Sequence, residues 1–274
     1  MRSLRNRAFA LLTACLGWAD PVGAAAREVS PGTLVRWPGE GIDSCGMADR
    51  QWNPLAGECW YPIDLLTPAG EISVLRWRDG ERQEEILLVG AYPYEVQHLT
   101  LQDDSQVSLS AENLRRVQKE NGMIAAMWRL DSPRRFDLPL ASPLESLPPG
   151  GRFGARRFFN DQPRSPHTGA DYAADSGTPI LAVAAGTVAL TGDFFFPGKS
   201  VFVDHGDGLV SMYFHLSGIA VDKGDEIRQG EILGLVGQSG RATGPHLHFG
   251  VRWHGARVDP RLLLAAPDSL PSIP

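Results

Sequence analysis

Five side chains in this sequence could build a hydrolytic metal centre: His167, Asp171, His215, His246 and His248. Imidazole and carboxylate are what a catalytic zinc takes from a protein, typically three ligands with a fourth position left to water. His167-Thr168-Gly169-Ala170-Asp171 offers one of each, and His246-Leu247-His248 adds two imidazoles much later in the chain. Residues two apart in a strand face the same side. His246 and His248 can therefore look into one cavity, one binding the metal while the other handles protons beside it. With His167, Asp171 and His248 as ligands, a bound water would reach a pKa of about 7 and become a usable nucleophile. His215, at the end of the run from Leu209, and His246 could then accept a proton or face the developing oxyanion. Neither H-x-x-x-D nor H-x-H is specific alone, so the surrounding elements have to carry the argument.

Those elements read as mainly β. The 30 Gly and 21 Pro indicate many turns. In residues 27–130, short alternating runs at 33–37, 71–77, 85–89, 98–101 and 106–109 predict a β-sandwich-like accessory domain, with a hairpin turn at Arg78-Asp79-Gly80. Ser110 is placed to cap a helix running to Glu120, with Leu114 and Val117 on its inner face and Asn121-Gly122 as an end or interruption. Residues 131–152 are Pro-rich and predict a stiff linker without regular structure. Residues 153–265 hold short, glycine-punctuated strands at 180–184, 187–190, 201–204, 209–215, 232–236 and 246–251, with no helical periodicity. Residues 266–274 predict a loose tail.

The chain has 274 residues, 43% of them hydrophobic, and a formal charge of −6. No basic stripe with interleaved aromatics points to nucleic acid. Residues 1–26 read as an export signal: Arg2, Arg5 and Arg7, then an apolar run at 8–18, then Ala24-Ala25-Ala26 for cleavage. That run is too short to span a membrane, and no later segment is longer. Leu12-Thr13-Ala14-Cys15 supports a competing reading, in which Cys15 carries a lipid anchor. Both readings place the protein outside the cytoplasm, in the periplasm, and leave Cys45 and Cys59 as an even pair suited to a disulfide.

Three separated segments occur in order: Pro166-His167-Thr168-Gly169-Ala170-Asp171-Tyr172, Tyr213-Phe214-His215-Leu216-Ser217, and the stretch from Gly237 through His246-Leu247-His248-Phe249. With Asp204-His205-Gly206 and Lys223-Gly224-Asp225, they resemble the M23 (lysostaphin-type) zinc metallopeptidases over residues 148–262. The N-terminal part looks like the β-sandwich of some Gram-negative members. The resemblance implies an antiparallel β peptidase domain, Zn2+ on His167, Asp171 and His248, and His215 with His246 as the catalytic pair. It also implies peptidoglycan stem peptides as substrate, cut as an endopeptidase. Some relatives place a Tyr shortly before the first ligand His, whereas residues 160–166 hold none. Tyr213 is a substitute only in that it shares a strand face with His215.

Blander readings stand beside these. His205 reads as structural or exposed, His98 and His254 as surface or packing residues, and Asp175 as a turn residue. Arg156, Arg157 and Arg164 either line the groove or form a solvated face. An alternative function is a non-catalytic wall-binding or amidase-activating module, but every ligand position is filled. A biotinyl or lipoyl carrier would need an exposed lysine in its hairpin turn, and Gln238-Ser239-Gly240 has none.

Overall fold

The computed structural model describes residues 26–100 and 107–274. The export signal before Ala26, the Cys15 anchor, and the start of the 106–109 run lie outside the described residues. The N-terminal strands are β1 (Arg27–Val29), β2 (Leu34–Trp37), β3 (Ile42–Met47), β4 (Arg50–Trp52), β5 (Cys59–Pro62), β6 (Gly70–Arg78), β7 (Glu81–Val89) and β8 (Val96–Leu99). Five of them form a sheet in the order β1-β7-β6-β3-β4, beside a β2-β5 ribbon. Asp79 and Gly80 close the β6-β7 hairpin with φ of 51° and 78°, the left-handed pair that a tight two-residue hairpin loop requires. Val35, Trp37, Tyr61, Val74 and Leu87 fill the core of this half. The Cys45–Cys59 disulfide joins β3 to β5.

Helix α1 (Ala111–Met127) starts at Ser110, whose hydroxyl accepts the Asn113 amide at 3.1 Å. It runs past Asn121-Gly122, beyond the expected end. A mid-helix Gly costs only about 1 kcal/mol, and Ile124 and Met127 one turn later pack against the C-terminal half. The inward face is Val117, Glu120, Ile124 and Met127; Leu114, expected to join it, is 46% exposed.

The second half carries β9 (Arg156–Phe159), β10 (Gln162–Pro163), β11 (Gly169–Ala173), β12 (Pro179–Leu181), β13 (Gly186–Phe194), β14 (Gly198–Asp204), β15 (Leu209–Leu216), β16 (Gly218–Ile219), β17 (Glu226–Ile227), β18 (Ile232–Leu235), β19 (His246–Trp253) and β20 (Ala256–Val258). Its main sheet runs β11-β19-β15-β14-β13-β17, with β20 on β19 and every pairing antiparallel. Leu247, Phe249, Val251 and Trp253 alternate along β19 into the core, leaving His246, His248 and Arg252 for the opposite face.

Three expectations change. Residues 131–152 lack helix and strand but are no free spacer: Phe136, Leu140 and Leu144 are buried, and the backbone bonds to Val183, His205 and Leu263. A short helix, α2 (Pro260–Leu264), follows β20, started by Asp259 accepting from the Arg261 amide; one turn is too short to show a period in sequence. The tail is not loose. Ile273 is buried and its amide donates to Arg36 O at 2.8 Å. The N-terminal half also reaches into the core of the second half through Leu34, Leu55 and Trp60, and Arg257 Nη1 donates to both carboxylate oxygens of Asp64, at 2.9 and 3.0 Å.

His254, placed as a surface or packing residue, stacks on Trp52 at 4.4 Å. Burial, then the nearby Arg50, pushes its pKa down to about 4. The folded protein keeps this ring neutral while the unfolded chain protonates near pH 6.5, so stability is full above that pH and falls as pH drops toward 4. Denaturant midpoints measured across this range should show that slope, and His254→Phe, which keeps the stack, should reduce it by the share of this one ring. Replacing Cys45 and Cys59 by Ser should cost about 3 kcal/mol of unfolding free energy, as expected for a loop of this length.

Candidate active site

The register of two strand pairs assembles the centre. Asp171 on β11 stands directly opposite His248 on β19, and His248 stands opposite Phe214 on β15. His167 lies in the loop leading into β11, on the same side. Asp171 Oδ1 is 2.9 Å from both His167 Nε2 and His248 Nδ1, and these two nitrogens are 2.8 Å apart. His246, two residues before His248 on the same face, brings Nε2 to 3.7 Å from Asp171 Oδ1. The predicted three-ligand set is thus one contiguous group, with His246 beside it.

Gly169 explains why the first segment reads His-Thr-Gly-Ala-Asp. A Cβ at this position would lie 2.5 Å from His248 Nε2 and 2.6 Å from the Phe249 carbonyl. Only a bare backbone lets the His248 ring lie flat across β11. On its other side the ring stacks on Phe214, with centroids 5.1 Å apart and planes 2° from parallel.

His215 reaches the site by breaking its strand. Leu216 pairs with Lys199 and Tyr213 with Val201, so Phe214 and His215 together oppose Ser200 alone, a β-bulge. His215 adopts φ 66°, left-handed and unfavourable for a residue with a Cβ. The bulge turns its ring to the site face, 4.8 Å from the His246 ring centroid and 6.0 Å from that of His248. Regular alternation would have pointed it into the core with Tyr213. Tyr213 therefore does not share a face with His215. It is fully buried, its oxygen accepts the Val183 amide at 3.1 Å, and it contacts Ser211. His205 is structural rather than exposed: it is fully buried, with Nδ1 2.7 Å from Ala185 O and Nε2 2.7 Å from Ser211 Oγ. His98 sits on the surface, stacked on Phe158. Asp175 holds a turn, its carbonyl accepting from Thr178.

Hydrogen bonds assign the imidazole protons. Nδ1 of His167 lies 2.8 Å from Arg152 O, that of His215 2.8 Å from Ser239 O, and that of His246 2.9 Å from Gly244 O. A carbonyl only accepts, so each Nδ1 carries the proton and each Nε2 presents a lone pair. Burial pushes the His167 pKa down to about 4, which keeps the ring neutral. Its Nε2 then faces His248 Nδ1 and Asp171 Oδ1, three atoms close enough to hold one cation. Burial works against charge on Asp171, but the facing His167 and His248 nitrogens outweigh it and hold the carboxyl well below the usual range. Arg157 Nη2 donates to Asp171 Oδ2 at 3.3 Å and leaves Oδ1 for the cluster. The donor set, two imidazole nitrogens and one carboxylate oxygen, fits a metal ion.

Around this group the structure adds what the sequence reading passed over. A cavity of about 50 Å3 is lined by Arg152, Arg157, Asp171, His215, Arg241 and His248 among others. It adjoins a wider groove of about 260 Å3, one wall of which is Ile124 and Trp128 at the end of α1. Arg241 appeared only as part of a glycine-rich stretch, and α1 as part of the accessory half. Of the three arginines singled out earlier, Arg157 lines the cavity and the groove, while Arg156 is exposed and lies over the Tyr92 ring.

Residues 165–260 match the model of peptidase family M23. A solved structure from Pseudomonas aeruginosa, itself assigned to peptidase M23, is 34% identical, with a TM-score of 0.66 over 86% of this chain and 94% of that one. The DD-carboxypeptidase/endopeptidase Mpg of Neisseria meningitidis is 44% identical over 94 residues, 34% of this chain and 22% of that protein. The peptidoglycan DD-endopeptidase ShyA of Vibrio cholerae is 39% identical over 95 residues, 35% of this chain and 22% of that protein. The chain thus spans about a fifth of the length of these curated relatives. The match to the Pseudomonas protein covers enough of the chain to run through both halves of the fold, and the converged His-Asp-His group lies within the residues that match the family model: the chain belongs to peptidase family M23.

Proposed function

We propose that this protein is a zinc-dependent endopeptidase that hydrolyses peptide cross-links of peptidoglycan, with His167, Asp171 and His248 holding the ion. The observation that carries this reading is the convergence of two imidazole nitrogens and one carboxylate oxygen within 4.8 Å of one another, beside two further imidazoles in one groove. The names of the Mpg and ShyA relatives support the substrate class. Zinc in this group would polarise the scissile carbonyl and make water acidic enough to attack it near neutral pH.

The chain's own residues supply the proton steps. His246 Nε2, a free lone pair close to Asp171, takes the proton from the attacking water and delivers it to the leaving amine nitrogen. From the sequence, either His246 or His215 could accept the proton or face the oxyanion. Hydrogen bonding favours a different task for His215. Its Nδ1 proton is committed to Ser239 O, and burial, then nearby His248, pushes its pKa down to about 3. A neutral ring with its free nitrogen in the groove accepts a hydrogen bond and orients the attacking water. The Cys45–Cys59 bond is consistent with export to an oxidising compartment, here read as the periplasm.

Purified protein incubated with cross-linked murein sacculi should release uncross-linked fragments, and a chelator should stop the release. His246→Ala and His215→Ala should each lower turnover by about 10²- to 10⁴-fold, with metal content by elemental analysis unchanged; full turnover in either variant would remove it from the mechanism. Asp171→Ala should lose the metal outright. Gly169→Ala should also lower metal occupancy, through displacement of His248, while Tyr213→Phe should leave it intact.

A further inference from the structure

Among the described residues, the Arg241 guanidinium has no ion-pair or hydrogen-bond partner. It lies on the loop between β18 and β19. Gly198 and Gly240 interlock there with φ of 66° and 69°, and a Cβ on Gly240 would meet Gly198 N at 2.4 Å. The Arg241 amide donates to Phe196 O at 2.8 Å, so the backbone is held from both sides. The guanidinium is sandwiched between Phe196 and Phe159, 4.2 and 4.5 Å from the two ring centroids. Its Nη1 is buried without a hydrogen bond among the described residues. Its charged neighbours are Arg157 and Arg164; together with burial they lower its pKa to about 10. A fixed planar cation left unneutralised in a groove costs free energy unless an anion completes it. Asp171 and His248 share its cavity, and it also lines the wider groove. Among the described residues the one carboxylate of that cavity, Asp171, is already taken by the imidazoles and Arg157.

We propose that Arg241 is a specificity residue that receives a free carboxylate of the substrate, the one on the carbon bearing the scissile amide nitrogen. This rests on the endopeptidase reading, and the chemistry of such cross-links supplies the anion. The carboxyl group on the acyl side is consumed in the scissile amide. The residue contributing the nitrogen keeps its own carboxylate one carbon away, close enough to enter the same small cavity. A guanidinium gripped by two aromatic rings presents two parallel N–H donors, the match to a carboxylate that a lysine lacks. The same recognition would admit a free C-terminal D-alanine as well as a diaminopimelate cross-link, since both carry that carboxylate.

The test uses the full zinc-loaded chain as wild type, Arg241→Met and Arg241→Lys, with thermal melts showing that each variant is folded. The paired substrates are a D-alanyl–diaminopimelate cross-linked dimer with that carboxylate free or amidated. Wild type should favour the free acid in kcat/KM by roughly tenfold to hundredfold. Arg241→Met should lose the preference by slowing only on the free acid, and Arg241→Lys should fall between. Equal cleavage of both substrates by wild type overturns the proposal and leaves the endopeptidase reading standing. So does a loss in Arg241→Met that is equal on both, which would mark a role in turnover instead. If wild type cleaves neither dimer, the endopeptidase reading fails. Equilibrium binding of N-acetyl-D-alanyl-D-alanine and its C-terminal amide then decides the arginine separately: tighter binding of the acid, lost in Arg241→Met, supports it, and equal binding refutes it.

Discussion

Everything at this site depends on three ligand atoms, two imidazole nitrogens and one carboxylate oxygen, held within hydrogen-bond distance of one another. His167 donates its Nδ1 proton to the Arg152 carbonyl, and Asp171 is an acceptor only. Their approach is enforced by the antiparallel register that sets Asp171 against His248, by the missing Cβ at Gly169, and by the Phe214 ring beneath His248. A metal ion bound here would be shared by all three atoms, and the rest of the fold is the frame that holds them together.

A second constraint follows from the sheet. A strand offers only alternate residues to one face, yet β15 sends two consecutive aromatic side chains, Phe214 and His215, to the site side. The bulge and the left-handed backbone of His215 make this possible, at a local conformational cost that the pairing on both flanks sustains. The residue that the alternation would have offered, Tyr213, is instead locked in the core against Val183 and Ser211. Chemistry here comes from a departure from regular structure, supported by regular structure on every side.

The N-terminal half is more than an appendage. Trp60 and Leu34 enter the peptidase core, the strap of residues 131–152 is laminated onto it, and the C-terminal segment returns to β2. Helix α1 contributes Ile124 and Trp128 to the groove, with Arg252 stacked over Trp128 at 4.3 Å. The groove's shape thus depends on both halves, while its charge comes mostly from the arginines of the peptidase half.

The sequence by itself determined the mainly β class, the family, and the five polar residues at the centre. Those features depend on residue type and short spacing, which chemistry restricts tightly. It also announced the β6-β7 turn at Asp79-Gly80 and the start of α1 at Ser110, because turns and caps are set by local backbone preferences. It misjudged the end of α1, the exposure of Leu114, the looseness of the tail and the face shared by Tyr213 and His215. Each of these is decided by what packs on the element rather than by the element's own pattern. Only the tertiary structure could show that a bulge turns His215 around, that Gly169 makes room for His248, and that Arg241 is half-buried beside His248 with no counter-charge among the described residues. Such facts reside in distances between segments far apart along the chain, and no local periodicity encodes them.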